Sequence, residues 1–233
     1  MSRSELARIL AEFERREREL PAHRYAWSTP ASLMMHQQAV RGCIRLLHEA
    51  GLYPLNGRQI ADIGCGDGTW MLEFVQWGAH PKSLSGIDLR SESVARARQR
   101  LPDADLHTGT ASKLPWPDES FDLVSQFTVF TSLLNSELKQ MIAQEMQRVL
   151  RPGGCVLWFD FRFDNPRNRN VRGIRAAEIH SLFKGCHVRL LPVLLAPPLT
   201  RMVAGWCWPL AELLHTLRPL RTHHAGLIWK KPA

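Results

Sequence analysis

The sequence contains the stretch Ile60-Ala-Asp-Ile-Gly-Cys-Gly-Asp-Gly-Thr-Trp70, in which glycines stand at three alternate positions. The apolar residues from Gln59 to Ile63 predict a buried strand, and residues 69–77 have apolar side chains at helical spacing. Glycine tolerates a positive φ and has no Cβ, so a turn built from Gly64, Gly66 and Gly68 lets the backbone approach a ligand closely. A strand, a glycine turn and a helix N-terminus in this order are typical of nucleotide-binding α/β folds.

The spacing of the glycines and of two acidic residues narrows the class of ligand. A hydride-transfer dinucleotide site has a third glycine at the position that Thr69 occupies here. Asp62, two residues before the first glycine, suits a ligand with positive charge near the turn. Asp88 ends a second apolar stretch twenty residues after Gly68, the usual offset for an acid that accepts hydrogen bonds from ribose hydroxyls. A nucleoside with a cationic, amino-acid-like tail fits both carboxylates, and S-adenosylmethionine is such a molecule.

Several segments then resemble the class I S-adenosylmethionine-dependent methyltransferases, in the family's order. The glycine turn is similar to motif I of that family. Residues 114–124 resemble the segment that leads into its fourth strand, and residues 145–154 resemble the helix end and turn before its fifth strand. The resemblance covers about Gln59 to Asp160. It implies a doubly wound α/β fold with a mostly parallel, seven-stranded sheet, an antiparallel last strand, N-terminal helices and a helical insertion before the last strand.

The resemblance also implies a set of residues that bind S-adenosylmethionine, with S-adenosylhomocysteine as the product. The predicted set is Asp62, Gly64, Cys65, Gly66, Gly68, Asp88, Leu89, Thr110, Ala111, Gln126 and Phe127. Thr110 departs from the family pattern, because many relatives have an aspartate there that accepts a hydrogen bond from the adenine amino group. Its hydroxyl offers an uncharged and weaker acceptor.

The predicted reaction is an in-line displacement at the donor methyl group, helped mainly by alignment of the two reactants. The catalytic residue is not identified by the sequence. Because of their positions in the chain, His36 and Asp160 are the first candidates for a general base. His180, His223 and His224 are the second candidates. No metal site is expected, because five cysteines without a CxxC or Cys/His cluster favour neither zinc binding nor a disulfide framework.

Length and composition predict one methyltransferase domain over residues 1–233. We divide it into an N-terminal helical cap (1–52), a cofactor-binding core (58–161) and an acceptor-side half (162–233). Hydrophobic content of 45% is ordinary for a globular protein. The lack of a signal-peptide pattern or of a long apolar stretch predicts a cytoplasmic location.

Five local patterns give sharper expectations about the elements. We expect Ser91 to cap a helix, Arg151–Gly154 to form a turn before a strand over residues 155–161, and the last strand to run from His224 to Trp229. Between residues 22 and 28, Tyr25 and Trp27 either close over the donor or pack the linker down. The apolar insertion at about 197–218, broken at Pro209, is a lid, a dimer surface, a membrane-touching element or two ordinary helices on the sheet edge.

The net charge of +8 admits nucleic acid, anionic lipid headgroups or phosphorylated metabolites as partners. Five arginines between Arg162 and Arg175 favour an anionic acceptor, since guanidinium groups bind phosphate and carboxylate well. We favour a small-molecule or glycan/lipid-precursor acceptor. An RNA methyltransferase, weakened by the absence of an Asn-Pro-Pro-Tyr-type motif, and a non-catalytic S-adenosylmethionine-binding protein remain alternatives.

Overall fold

In the computed structural model, which describes residues 3–19, 28–166 and 168–230, seven strands form one sheet. Their order across the sheet is β3-β2-β1-β4-β5-β7-β6, and every neighbouring pair up to β5 is parallel, whereas β7 runs antiparallel to β5 and β6. The strands are β1 (Ile60–Ile63), β2 (Leu84–Asp88), β3 (Asp105–Thr108), β4 (Phe121–Phe127), β5 (Leu150–Phe161), β6 (His187–Leu195) and β7 (Arg221–Trp229).

Helices cover both faces of this sheet. In chain order they are α1 (Arg3–Glu19), α2 (Pro30–Glu49), α3 (Thr69–Gln76), α4 (Ser91–Arg100), α5 (Ser136–Val149), α6 (Ala176–Leu182), α7 (Pro197–Val203) and α8 (Trp208–Thr216). On one face α2, α3 and α4 pack on the strands, and on the other face α1, α5 and α6 do so. Neighbouring strand residues point to opposite faces, as Val156 and Leu157 of β5 do, so each strand contributes to two cores. The predicted doubly wound fold with an antiparallel last strand is confirmed.

Helix α2 begins and ends where capping chemistry predicts. Thr29 precedes α2, its side chain accepts a hydrogen bond from the backbone N–H of Ser32, and Pro30 takes the first helical position. Gly51 follows the helix with a φ of 67°. Tyr25 and Trp27 lie outside the described residues.

Two predicted boundaries around strands are wrong. Residues 151–154 belong to β5, because Leu150 pairs with Phe121 of β4 and a register shift before Leu123 accommodates the extra residues. The last strand begins at Arg221 rather than His224, because its first residues pair with the end of β6.

Two predictions about helix ends are also wrong. Ser91 is the first residue of α4, and the cap position belongs to Arg90, whose side chain makes no capping hydrogen bond. The insertion breaks at residues 204–207 rather than at Pro209. Pro209 lies in the first turn of α8, where a backbone N–H has no intrahelical partner and its loss costs nothing.

Candidate functional site

The glycine turn between β1 and α3 has the conformation that only glycine adopts easily. The φ angles of Gly64, Gly66 and Gly68 are 73°, 54° and 81°. A Cβ on Gly64 would stand 2.4 Å from a methyl carbon of Val129, so this glycine also lets the chain after β4 pack against the turn. A Cβ on Gly66 would meet nothing within 4 Å, because Gly66 faces a cavity.

Asp88 fixes the turn to the end of β2. Its Oδ2 accepts a hydrogen bond from Gly66 N at 3.0 Å, and its Oδ1 accepts one from Arg90 N at 2.9 Å. A carboxylate oxygen has capacity for more than one hydrogen bond, so both oxygens can still accept donors from a ligand. The same side chain therefore shapes the turn and borders the cavity.

The cavity has a volume of about 250 Å³ and lies at the carboxyl ends of the parallel strands. Ligands bind at this edge in open α/β sheets. The loops after β1 to β4 provide one side of it, with Gly64, Gly66, Asp88, Leu89, Arg90, Gly109, Thr110, Ala111, Phe127, Thr128 and Val129. The opposite side is apolar and includes Leu133, Leu138 and Ile142 together with three side chains of α1, which are Leu6, Ile9 and Phe13.

Helix α1 covers the cavity and is held there by polar contacts. Glu5 Oε1 accepts hydrogen bonds from the backbone N–H groups of Leu134 at 2.7 Å and Asn135 at 3.3 Å. Glu12 accepts one from each side-chain amide of Asn168 and Asn170, both at 2.8 Å. Hydrogen bonds from the Arg8 guanidinium lower the pKa of Glu5 to about 2, and the pKa of Glu12 lies well below its usual range, chiefly through Arg15.

We expect Glu12→Ala to loosen α1. The substitution removes a carboxylate acceptor from four neighbouring side chains, and hydrogen bonds to charged groups contribute about 1.5–3 kcal/mol. Hydrogen exchange of the α1 amides should then rise at least about tenfold, whereas Glu14→Ala, at an exposed position of the same helix, should leave it unchanged. Since the pKa of Glu12 is lowered on folding, this contribution is present at neutral pH and is lost as the pH falls below about 4. Equal exchange in both variants would show that Glu12 does not hold the helix.

Four residues of the predicted donor set do not line the cavity. Asp62 is buried beneath the turn, where Ser125 Oγ donates to its Oδ1 at 2.7 Å and burial raises its pKa to about 7. Gln126 supports the loop after β4, accepting from Val129 N at 3.0 Å. Cys65 packs under β2, and Gly68 packs against α4. The predicted residues at the cavity are Gly64, Gly66, Asp88, Leu89, Thr110, Ala111 and Phe127.

Neither candidate base lines the cavity. His36 lies on α2, with its Nε2 2.8 Å from Glu73 Oε1 and its ring near Trp70. Asp160 is buried and accepts hydrogen bonds from the hydroxyl and backbone N–H of Thr131, and burial raises its pKa to about 7. Both side chains are therefore engaged in structural contacts.

The other three histidines also lie away from the cavity lining. His180 is exposed on α6. Burial lowers the pKa of His223 and of His224 to about 4, so both rings are neutral at pH 7. His223 stacks on Phe159, with 5.4 Å between ring centroids. Within the described ranges, no group of three or more His, Cys, Asp or Glu side chains is placed to hold a metal ion.

The sequence does not predict that α1 covers the cavity. The apolar stripe of Leu6, Ile9 and Phe13 signals a buried helix face, but it does not say which surface that face covers. Arg90 was missed as well: its guanidinium carbon lies 4.4 Å from the centre of the Phe13 ring, and its Nη1 donates to Glu17 at 2.8 Å. Arg90 thus joins the edge of the cavity to its cover.

A glycine turn, an acid at the end of the second strand and a cavity at the carboxyl edge define a nucleoside-binding α/β protein. Comparison with known proteins narrows this class. Residues 60–154 match the family model described as "Methyltransferase domain".

Two curated methyltransferases are among the similar sequences. The phthiotriol/phenolphthiotriol dimycocerosates methyltransferase of Mycobacterium tuberculosis is 36% identical over 128 residues, which are 54% of this chain and 46% of that protein. The demethylmenaquinone methyltransferase of Listeria welshimeri is 31% identical over 109 residues, 45% of each protein. The chain thus aligns with about half the length of these relatives.

A solved structure supports the same architecture. The S-adenosylmethionine-dependent methyltransferase of Mesorhizobium loti superposes with a TM-score of 0.59 at 18% identity, covering 82% of this chain and all of that one. Residues 60–154 thus match a methyltransferase domain, as the sequence motifs predict, and the chain shares the fold of this solved structure.

Proposed function

We propose that the protein transfers the methyl group of S-adenosylmethionine to an apolar, lipid-type small molecule. The observation that carries this proposal is the two-sided cavity. The glycine turn and Asp88 form its polar side, whereas Leu133, Leu138 and Ile142 contribute to an apolar side. Lipid and quinone precursors, which the names of the two curated relatives mention, would suit an apolar surface of this kind.

The polar side of the cavity fits the donor. Asp88 has acceptor capacity for ribose hydroxyls, and the open space above Gly66 accommodates a ligand next to the backbone. Asp62 lies beneath the turn with its pKa raised to about 7 by burial, so it would make no direct contact with a cationic ligand and would act through its charge only when ionised. Thr110 borders the cavity just after β3, and its hydroxyl group is already hydrogen-bonded to the hydroxyl group and the backbone N–H of Ser112.

Catalysis would depend on the alignment of the two reactants more than on proton transfer by the protein. Bound S-adenosylmethionine supplies an electrophilic methyl group on a sulfonium leaving group. Among the described residues that line the cavity, Asp88 carries the one carboxylate and none is a histidine. The chain would therefore hold the acceptor in line with the methyl group and exclude water with α1 during transfer, and the proton of the methylated product would pass to solvent after α1 opens.

The anionic character of the acceptor has weaker support. Arg172 of the loop after β5 donates to Glu178 at 2.9 Å, and Arg162 lies over the Phe163 ring at 4.6 Å. Arg90 is the one arginine among the described residues lining the cavity, and it is paired with Glu17. A charged acceptor group would have to compete with these contacts.

Transfer from labelled S-adenosylmethionine tests the proposal, with a lipid extract and total RNA offered together. Label in the organic phase would support a lipid-type acceptor, and label in the RNA would favour the RNA methyltransferase alternative. S-adenosylhomocysteine binding without any transfer would point to the non-catalytic alternative.

A further inference from the structure

Helices α7 and α8, with the residues that directly follow them, expose four large apolar side chains, which we call the α7–α8 patch (Met202, Trp206, Leu213 and Leu217). Their exposed fractions are 64%, 72%, 63% and 51%. Single exposed apolar residues are common on proteins, but four large ones on one helical pair mark an interaction surface.

The patch is the outward side of a well-packed element. On the inward side, Val203, Ala204 and Ala211 are buried against Met34 of α2 and Leu195 of β6. The two helices are therefore fixed to the sheet by their own core. The patch takes no part in that core and stays available to a partner.

Trp206 is suited to an apolar partner. Its indole N–H donates to the carbonyl oxygen of Met202 at 3.1 Å, so the side chain's one polar group already has its hydrogen bond. The ring can leave water without leaving a donor unsatisfied. Tryptophan is also enriched at membrane–water interfaces, where its amphipathic ring lies at the headgroup level.

Arginines form a basic border beside the patch, made of Arg41, Arg45, Arg218 and Arg221. Arg221 donates to the carbonyl oxygens of His215 and Thr216 at the end of α8, and Arg218 directly follows Leu217. Burial and the nearby charges of Arg218 and Arg45 lower the pKa of Arg221, whose guanidinium also donates to the carbonyl oxygen of Pro192. Arg41 is bound to Glu212 and Arg45 to Glu49, so the acidic groups nearby offset part of this charge.

The patch lies at the same edge of the sheet as the cavity. Strand β6 is antiparallel to β7, as β5 is, so β6 runs in the same direction as the parallel strands. Helix α7 begins at Pro197, two residues after β6 ends at its carboxyl end. A surface bound at the patch would therefore lie near the carboxyl edge of the sheet, where the cavity also lies.

We propose that the α7–α8 patch and its basic border form a docking surface for an anionic phospholipid bilayer. The apolar side chains would enter the interfacial layer while the arginines contact lipid headgroups. A small anionic metabolite is a poorer fit, because it would not need the apolar side chains. A second copy of this chain is also a poorer fit, because it would bring two positively charged borders together. Within the described residues, no helix is long and apolar enough to cross a membrane, so the contact is peripheral.

The purpose of the docking surface, delivery of a lipid-type acceptor, rests on the proposed function, but vesicle binding itself does not. Sedimentation with vesicles therefore tests the docking surface without donor or acceptor. We expect wild type to bind vesicles of equal parts phosphatidylcholine and phosphatidylglycerol and to bind pure phosphatidylcholine much more weakly. Added salt should weaken binding to the anionic vesicles.

Matched variants locate the surface. Trp206→Ser combined with Leu213→Ser should weaken binding at least about tenfold through lost apolar burial, and Arg218→Gln should weaken it about fivefold on anionic vesicles alone. Met141→Ser changes an exposed apolar residue of α5, on the opposite face of the sheet from α2, and should bind as wild type does. S-adenosylhomocysteine titration of every variant confirms that the fold is intact.

Two outcomes would overturn the proposal. One is wild type that does not bind anionic vesicles, or patch variants that bind as well as wild type. The other is a dimer in solution that the double variant dissociates, which would assign the patch to a second copy. Vesicle binding by a protein that transfers no methyl group would count against the proposed function and leave the docking surface standing.

Discussion

Gly66→Val should abolish detectable binding of S-adenosylhomocysteine. Gly66 has a φ of 54°, a conformation that a β-branched residue adopts only at a cost of about 1–3 kcal/mol. The new side chain would also point into the open space beside the turn, where the donor would lie. Together these effects should lower the affinity at least about 100-fold, as measured by calorimetric titration.

Gly57→Val is the matched control for this substitution. Gly57 has a φ of 72°, and a Cβ there would also meet nothing within 4 Å, but the residue does not line the cavity. The control should lose similar thermal stability and keep its affinity. If Gly66→Val binds as tightly as Gly57→Val does, the donor does not lie against the glycine turn.

Asp88→Ala should weaken S-adenosylhomocysteine binding by ~1–3 kcal/mol, or roughly five- to 150-fold in Kd. The substitution removes an acceptor for ribose hydroxyls and also releases the backbone N–H groups of Gly66 and Arg90. Exposed Asp103 provides the control, and Asp103→Ala should bind as wild type does.

Asp88→Asn separates the two roles of this carboxylate. The amide keeps one oxygen acceptor but turns an N–H donor toward one of the two backbone N–H groups. We expect its affinity to fall between those of wild type and Asp88→Ala. Unchanged affinity in both Asp88 variants would refute the ribose assignment.

The parts of the fold that the sequence predicts are those specified by local chemistry. The strand at Ile60, the glycine turn and Asp88 at the end of β2 follow from short patterns, and the structure brings them together at one edge. The start of α2 is equally local, because Thr29 and Pro30 satisfy the first turn by themselves. Such features depend little on the rest of the chain.

The parts that it does not predict depend on distant partners. Residues 151–154 resemble a turn in isolation, and they lie within β5 because Leu150 before them and Cys155 after them both pair with β4. Asp62 and Gln126 belong to the predicted set of donor-binding residues, but Ser125 and Val129 hold them beneath the cavity lining. The stripe on α1 predicts a buried face, yet only the tertiary structure shows that it covers the ligand site.

The contacts that hold α1 have a consequence for the kinetics of ligand exchange. The helix covers the cavity through side-chain contacts and is not part of the sheet, so it can separate from the cavity while the strands stay in place. The rate at which α1 opens would then limit both entry and departure of the ligand. A loosened helix would speed both steps, so exchange could become faster with little change in equilibrium affinity.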